Sequence, residues 1–268
     1  MNALAARRPR PATTVLLLIL ALVLGAAALV TFATRPASAS SAASGDQIAQ
    51  GKALFQASCA SCHGINAQGT MTGSGTNVAG PALAGVGAAA VDFQVGTGRM
   101  PMAAPSIQAP RSKVQFSQEQ IYAMAAYIAS LAPGPAIPTA AQVDFAKGNA
   151  AVGGEIFRVN CAMCHNFAGS GGALTRGKYA PSLAGSTPTH IYEAMLTGPQ
   201  SMPIFSDSDI SVVGKRDVIA YLKAISKEPT QGGSRLGSLG PVSEGLFAWV
   251  FGLGLMVAAA VWLGKKAA

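Results

Sequence analysis

The two longest apolar stretches of the chain lie near its ends. Residues 11–34 contain no charged side chain, and Val15 to Ala33 is almost wholly apolar. A second uncharged stretch, 245–264, is followed by the pair Lys265 and Lys266. Because a helix of about 20 apolar residues spans a bilayer, each stretch is predicted to be long enough to cross a membrane.

The N-terminal stretch has two interpretations, which both remain open. Arg7, Arg8 and Arg10 precede it, and such a basic flank keeps an N-terminus in the cytoplasm. The small-residue tract 36–43 resembles a signal-peptidase site. Residues 1–43 are therefore predicted to be either a membrane anchor or a cleaved signal.

The C-terminal stretch predicts a transmembrane helix over 245–264, joined to the preceding residues by a linker at 231–244 that is rich in Gly and Ser at its start. Trp249 and Trp262 lie near its two ends, where interfacial aromatic residues are common. The closing Lys pair favours a cytoplasmic C-terminus. We therefore expect a plasma-membrane protein with one or two spans and its central residues on the extracytoplasmic side.

Between the two ends, the spacing of apolar residues predicts short amphipathic helices. One helix is expected over 46–58, with Ile48, Leu54 and Phe55 on one face. Another is expected over 117–131, where Ser117 and Gln120 form a capping-box pattern. Prolines at 133, 135 and 138 end this helix and begin a linker.

The pattern of the central region occurs twice, which predicts a duplicated domain at 44–134 and 140–230. Gly51 and Phe55 have counterparts 102 residues later in Gly153 and Phe157. Other repeated segments are Pro81-x-Leu-Ala-Gly with Pro181-x-Leu-Ala-Gly, Thr97-Gly with Thr197-Gly, and Met100-Pro with Met202-Pro.

The net charge of +8 does not indicate nucleic-acid binding, because the excess lies in the tails. Residues 44–137 carry four basic and three acidic groups, and residues 138–230 carry eight and seven, so each region has a net charge of +1. Only 6% of the residues are aromatic. An apolar cofactor in each domain would supply the core volume that large side chains do not.

The candidate chemistry is a Cys-x-x-Cys-His motif that occurs once in each repeat. The motifs are Cys59, Cys62 and His63, and Cys161, Cys164 and His165, and they contain all four cysteines and two of the three histidines. In such a motif the thiols form thioethers with haem and the imidazole ligates the iron. The sequence therefore predicts two covalently bound c-type haems.

A zinc site and a redox Cys-x-x-Cys are the alternatives for these motifs. Paired Cys-x-x-Cys motifs of a zinc ribbon are usually separated by about 15–20 residues, whereas 98 residues separate Cys62 from Cys161. Thioredoxin-like motifs do not require the following His. Haem attachment is therefore favoured.

With these motifs in place, each repeat resembles a class I cytochrome c domain, over roughly 46–131 and 145–226, which implies an all-α fold class of two tandem domains. The resemblance implies that His63 and His165 are the proximal iron ligands and that Met100 and Met202 are the distal ones. It also implies that the carbonyl groups of Pro81 and Pro181 accept a hydrogen bond from the ligating imidazoles. Met102 competes with Met100 on sequence grounds. His190 is expected to lie on the surface, with a role at the haem edge as the alternative.

Two such domains followed by one membrane helix resemble the dihaem cytochrome cc subunit of the actinobacterial quinol:cytochrome c reductase. This resemblance implies an electron-transfer subunit with no catalytic residue of its own, in a translocase that also contains a cytochrome b subunit. It further implies a Rieske iron–sulfur protein as electron donor and a cytochrome c oxidase, in a supercomplex, as acceptor.

Alternatives from other classes remain. A dihaem subunit of a haem–copper oxidase also carries tandem domains, although its membrane helices usually precede them, and a free dihaem carrier needs no anchor. A dihaem peroxidase needs one haem with a displaceable ligand, which the two Met-Pro segments disfavour.

Overall fold

The computed structural model describes residues 19–21, 43–71, 78–104, 106–227 and 241–267. The chain divides into two units, 1–43 and 44–268. In the first unit, residues 19–21 form a turn of helix. The predicted anchor or signal therefore lies almost wholly outside the described residues, as does most of the predicted linker at 231–244.

The first domain consists of four helices and a small antiparallel hairpin. Its elements, in chain order, are α1 (Gly45–Ser58), α2 (Ala60–His63), β1 (Thr70–Met71), β2 (Val78–Gly80), α3 (Gly87–Gly96) and α4 (Gln118–Leu131).

The second domain has the same order after one additional short helix. Its elements are α5 (Ala140–Val143), a 3₁₀ turn (Phe145–Lys147), α6 (Ala150–Asn160), α7 (Ala162–His165), β3 (Gly172–Ala173), a 3₁₀ turn (Thr175–Gly177), β4 (Tyr179–Ala180), α8 (Pro188–Thr197) and α9 (Val212–Lys227). The mostly helical fold agrees with the prediction. The two hairpins were not predicted, because strands of two or three residues are too short to show an alternating pattern.

Side-chain caps determine where several helices begin. The Ser117 hydroxyl accepts a hydrogen bond from the backbone N–H of Gln120, and the Gln120 side chain accepts one from the backbone of Ser117, which completes the predicted capping box. Thr187 caps α8 by accepting from the backbone N–H of His190 at 3.1 Å. These caps satisfy N–H groups that would otherwise have no partner at the helix start.

In each domain the first long helix crosses the last one at a glycine. Gly51 on α1 lies against the backbone carbonyl of Ala123 on α4, and Gly153 on α6 lies against that of Asp217 on α9. A side chain at either glycine would overlap this carbonyl group. The crossing is therefore closer than any residue with a Cβ atom permits.

One aromatic pair packs beside each crossing. The ring centroids are 5.5 Å apart in Phe55–Tyr127 and 5.4 Å apart in Phe157–Tyr221. The phenylalanines and Tyr127 are buried, and each pair joins the first long helix of its domain to the last. The repeat in the sequence thus corresponds to a repeated packing arrangement.

The C-terminal helix runs through α10 (Pro241–Phe247), a π-helical segment (Ala248–Leu253) and α11 (Gly254–Ala267). Among the described residues, Glu244–Lys266 is the one helix long and apolar enough to cross a membrane, and none of it is buried. The helix begins at Pro241, so the last four residues of the predicted linker are helical.

Candidate functional site

Each Cys-x-x-Cys-His motif lies on a short helix that directly follows a long one. Cys59 ends α1, with its N–H bonded to the carbonyl of Phe55 at 2.7 Å, and the N–H of His63 bonds to the carbonyl of Cys59 at 2.9 Å. In the second domain, Cys161 and His165 make the corresponding bonds at 2.8 and 2.9 Å. Residues three and four apart on a helix share one face, so both thiols and the imidazole of a motif lie together.

The imidazoles are oriented by backbone carbonyls. Nδ1 of His63 donates to the carbonyl of Pro81 at 2.8 Å, and Nδ1 of His165 donates to that of Pro181 at 3.0 Å. A carbonyl group can only accept, so Nδ1 carries the proton and Nε2 is left with a lone pair. Burial lowers the pKa of His165, although its bond to Pro181 opposes this effect. The ring is therefore neutral, as a metal ligand must be.

The hairpins position the two prolines. Gly80, at the end of β2, lies against the backbone of Cys62, where a Cβ atom would overlap the carbonyl group. The N–H of Leu83 then bonds to the carbonyl of Ala67 at 2.8 Å. This close approach holds the chain at Pro81 beside the motif, and an equivalent bond joins Leu183 to Gly169 at 2.7 Å.

Each motif opens onto a largely apolar cleft that also contains a methionine. The first cleft is lined by Cys59, His63 and Met100, among others. The second is lined by Cys161, Cys164, His165 and Met202, among others. Met100, and not Met102, lines the first cleft, where it also packs near Met124. The structure thus favours Met100 of the two candidates.

The thiols are suited to thioether formation. All four cysteines are free, so neither pair forms a disulfide. Burial and the neighbouring thiol of Cys62 raise the pKa of Cys59 to about 11, and burial and Cys164 raise that of Cys161 to about 11. Both thiols are therefore protonated at neutral pH, and their apolar surroundings suit a large apolar group. The clefts therefore fit haem in all three respects: attachment, axial donors and apolar walls.

The two clefts adjoin each other. Residues of the second domain line the first cleft, including Leu196, Thr197 and Ile204. Residues of the first domain line the second cleft, namely Phe93, Thr97, Arg99, Gln108 and Arg111. Pro199 and Gln200 line both clefts, so the same short segment forms a wall of each.

A segment of the first domain after Met100 reaches across to the second domain. The Gln108 side chain donates to the carbonyl of Tyr179 at 2.7 Å and accepts from the N–H of Tyr179 at 2.9 Å. The N–H of Ala109 bonds to the side-chain oxygen of Gln200 at 3.2 Å. Nothing in the sequence predicted this contact, because the segment has no helical or strand periodicity.

The expectation that His190 lies on the surface is wrong. Its ring is half-buried, packs edge-on against Phe93 with centroids 6.1 Å apart, and lines the second cleft. The physical reason is the packing of α3 against α8, which covers one side of α8. The spacing of His190 and Glu193, one helical turn apart, is the sequence signal that could have indicated a shared environment.

Comparisons with known proteins agree with this geometry. The family model of cytochrome c matches residues 48–132, and that of "cytochrome c oxidase, cbb3-type, subunit III" matches residues 148–222. The chain is similar to proteins named "cytochrome bc1 complex cytochrome c subunit". That of Corynebacterium efficiens is 44% identical over 90% of this chain and 85% of the relative. That of Mycobacterium tuberculosis is 42% identical over 97% of this chain and 92% of the relative.

Proposed function

Since the chain belongs to the family of cytochrome c subunits of the cytochrome bc1 complex, we propose that it conducts electrons through two haems in a quinol:cytochrome c reductase. Its cytochrome c domains imply c-type haem, and the family is one of electron-transfer subunits. The proposal that electrons pass between two haems of one chain rests on Pro199 and Gln200, which line both clefts.

We assign the attachment of the haems to the two Cys-x-x-Cys-His motifs, and their ligation to the histidines of these motifs and to one methionine of each cleft. Cys59 and Cys62 would hold one haem, and Cys161 and Cys164 the other. Nε2 of His63 or His165 would bind the iron from one side, and the sulfur of Met100 or Met202 from the other. A bound haem supplies a one-electron couple, and an axial methionine raises its potential.

This ligand set favours electron transfer over reactions at the metal. If His and Met side chains both bound the iron, they would leave peroxide or oxygen no position to bind, which disfavours a dihaem peroxidase. The shared wall brings the clefts together, so an electron can pass between domains without a separate carrier. The chain itself would then conduct electrons and contribute no catalytic residue.

The C-terminal helix supports a membrane-anchored role. Glu244–Lys266 is long enough to span a bilayer, and it ends in Lys265 and Lys266, which favour the cytoplasmic side. We propose that the haem domains lie on the extracytoplasmic side. There they would receive electrons from a Rieske iron–sulfur protein, beside a cytochrome b subunit, and pass them to a cytochrome c oxidase in a supercomplex.

An oxidase subunit is the second candidate, because residues 148–222 match a family model of a cbb3-type oxidase subunit. The match covers only the second domain, whereas the bc1 relatives match over most of the chain. Mild detergent extraction should therefore co-purify the chain with a quinol-oxidising cytochrome b subunit.

The proposed role predicts that quinol reduces both haems of the purified complex without added soluble cytochrome c. The rate should change by less than about threefold between low and physiological salt. A free carrier needs a charged face, whose attraction weakens as salt rises, but these domains carry a net charge of only +1 each. Tethering supplies a high local concentration instead. Stopped-flow absorbance of the haems at several salt concentrations measures this.

Two results would contradict the tethered role. One is a requirement for an added soluble cytochrome c before the haems become reduced. The other is unchanged quinol oxidation in a chain that lacks 244–266, because a free dihaem carrier would then account for the activity.

Two arginines of the first domain are predicted to tune the haem of the second. Arg99 and Arg111 line the second cleft, and neither has an ion-pair partner among the described residues. Burial, followed by the charge of Arg111, lowers the pKa of Arg99, and its guanidinium lies 4.9 Å from the centroid of the Phe93 ring. Such cations can pair with the propionate carboxylates of a haem.

Arg99→Gln should therefore change the midpoint potential of one haem. Removing a half-buried cation disfavours the reduced iron by about 1–2 kcal/mol, which corresponds to a fall of roughly 40–80 mV for a one-electron couple. A redox titration of the full chain measures this, with Lys113→Gln as the control because Lys113 lies in the same segment but is exposed. Equal potentials in the Arg99→Gln variant and the wild type would contradict the assignment.

A further inference from the structure

Three potential metal ligands meet where α3 of the first domain packs on α8 of the second. They are Asp92 on α3 and His190 and Glu193 on α8, and one ligand atom from each lies within 4.8 Å of the others. His190 and Glu193 are one helical turn apart and so share a face of α8. The cluster is therefore built from both domains.

The cluster is buried and its polar atoms lack partners. Asp92 is 1% exposed and Glu193 is 0% exposed. Among the described residues, no hydrogen-bond donor reaches either side-chain oxygen of Glu193, whose carboxyl group lies within reach of that of Asp92, and Nδ1 of His190 has no partner. An ionised carboxylate buried without a donor is strongly unfavourable, so these atoms indicate that a ligand completes the arrangement.

The charge of the cluster points to a cation. In the part of the chain that the structure describes, no lysine or arginine forms an ion pair with Asp92 or Glu193. With both carboxylates ionised and the imidazole neutral, the cluster carries a charge of −2, which one divalent ion would neutralise. Burial and the neighbouring Asp92 raise the pKa of Glu193 to about 10, so a divalent ion would displace the proton that Glu193 otherwise holds.

The surroundings of the cluster are compatible with such an ion. The Gln118 side chain donates to one oxygen of Asp92 at 2.9 Å, and such a bond orients a ligating carboxylate. Tyr122 lies near both carboxylates. Burial and the positive charges of Arg111 and Arg99, which belong to the first domain, lower the pKa of His190. Within the described part of the chain, neither arginine forms an ion pair with these carboxylates.

We propose that Asp92, His190 and Glu193 bind a divalent transition-metal ion, of which Zn²⁺ is the best match, and that this ion joins the two cytochrome domains. Zinc accepts imidazole and carboxylate ligands together. Calcium and magnesium prefer oxygen alone, and Cu(I) and iron–sulfur clusters prefer sulfur. The proposal does not depend on the haem assignments, because none of these three residues is assigned to hold a haem.

The test is the metal content of the purified complex after incubation with Zn²⁺ and removal of loosely bound metal. Zinc is measured by mass spectrometry and normalised to the haem content. The wild type should contain about one zinc per chain more than Glu193→Gln or Asp92→Asn. Removing a ligating carboxylate should weaken zinc binding by about 100-fold or more. Both replacements are nearly isosteric, and Glu155→Gln is the matched control because Glu155 is an exposed glutamate of the second domain.

Equal zinc content in the wild type and the Glu193→Gln variant would overturn the proposal, as would a wild-type complex that binds no zinc. In the latter case the two carboxyl groups would share a proton instead. If the variants do not assemble, X-ray absorption at the zinc edge of the wild-type complex decides. A shell of nitrogen and oxygen ligands alone, with the scattering pattern of one imidazole, supports the site, and a shell containing sulfur places zinc elsewhere and overturns it.

Discussion

Gly51→Ala is expected to prevent stable packing of the first domain. The added methyl group would overlap the backbone carbonyl of Ala123, where α1 crosses α4. A backbone atom cannot move away by changing a rotamer, so the two helices would have to separate. Overpacking typically costs about 1–3 kcal/mol and occasionally more. With backbone as the clashing group, we expect about 3 kcal/mol or more, a large part of the roughly 5–15 kcal/mol that stabilises a domain.

The measurement is thermal unfolding and limited proteolysis of the purified full chain. For a domain of this size, 3 kcal/mol corresponds to a fall in Tm of about 12 °C or more. Gly45→Ala is the matched control, because it lies on the same helix and no atom lies within 4 Å of the added group. Its stability should stay within about 1 kcal/mol of the wild type. Equal stability of the two variants would show that the crossing is not as close as described.

The crossing illustrates what the sequence could predict. Gly51 and Gly153 occupy equivalent positions in the repeat, and the apolar spacing around Phe55 predicts a buried helix face. The capping box at Ser117 and Gln120 was also evident, because caps depend on residues close together in the chain. Local features such as these do not require knowledge of the tertiary fold.

Features that join the two domains could not be predicted in this way. The hydrogen bonds between Gln108 and Tyr179 connect residues 71 positions apart. Likewise, Asp92 meets Glu193 only because α3 packs on α8. A repeat specifies how each copy folds, but the contact between copies depends on surface residues that the copies do not share. The buried position of His190 follows from that contact.

The choice between Met100 and Met102 could be predicted in part from the sequence and in part only from the structure. Alignment of the repeats favours Met100, because Met100-Pro corresponds to Met202-Pro. Sequence alone left Met102 possible, since it lies only two residues away. In the structure the backbone N–H of Met100 bonds to the carbonyl of Gln94 at the end of α3, at 3.0 Å. This bond holds Met100 at the cleft.

Met202→Leu is expected to leave both haems covalently attached but to remove the distal ligand of the second. Leucine has a similar volume, so the cleft should remain packed, while the thioether sulfur is lost. Axial ligands set haem potentials over a range of about 0.8 V, and methionine lies toward its upper end. The potential of one haem should therefore fall by roughly 0.1 V or more, and its iron should become high-spin or take another ligand.

Met195→Leu is the control that separates ligation from packing. Met195 is 2% exposed and lines the same cleft as Met202, so its replacement also removes a sulfur atom from that wall. Redox titration and electron paramagnetic resonance of the full chain should detect a change in Met202→Leu alone. In the first domain, Met100→Leu should behave like Met202→Leu, and Met102→Leu should behave like Met195→Leu. An unchanged spin state and potential in Met202→Leu would mean that Met202 does not bind the iron, and would remove the argument that the second haem has no open axial position.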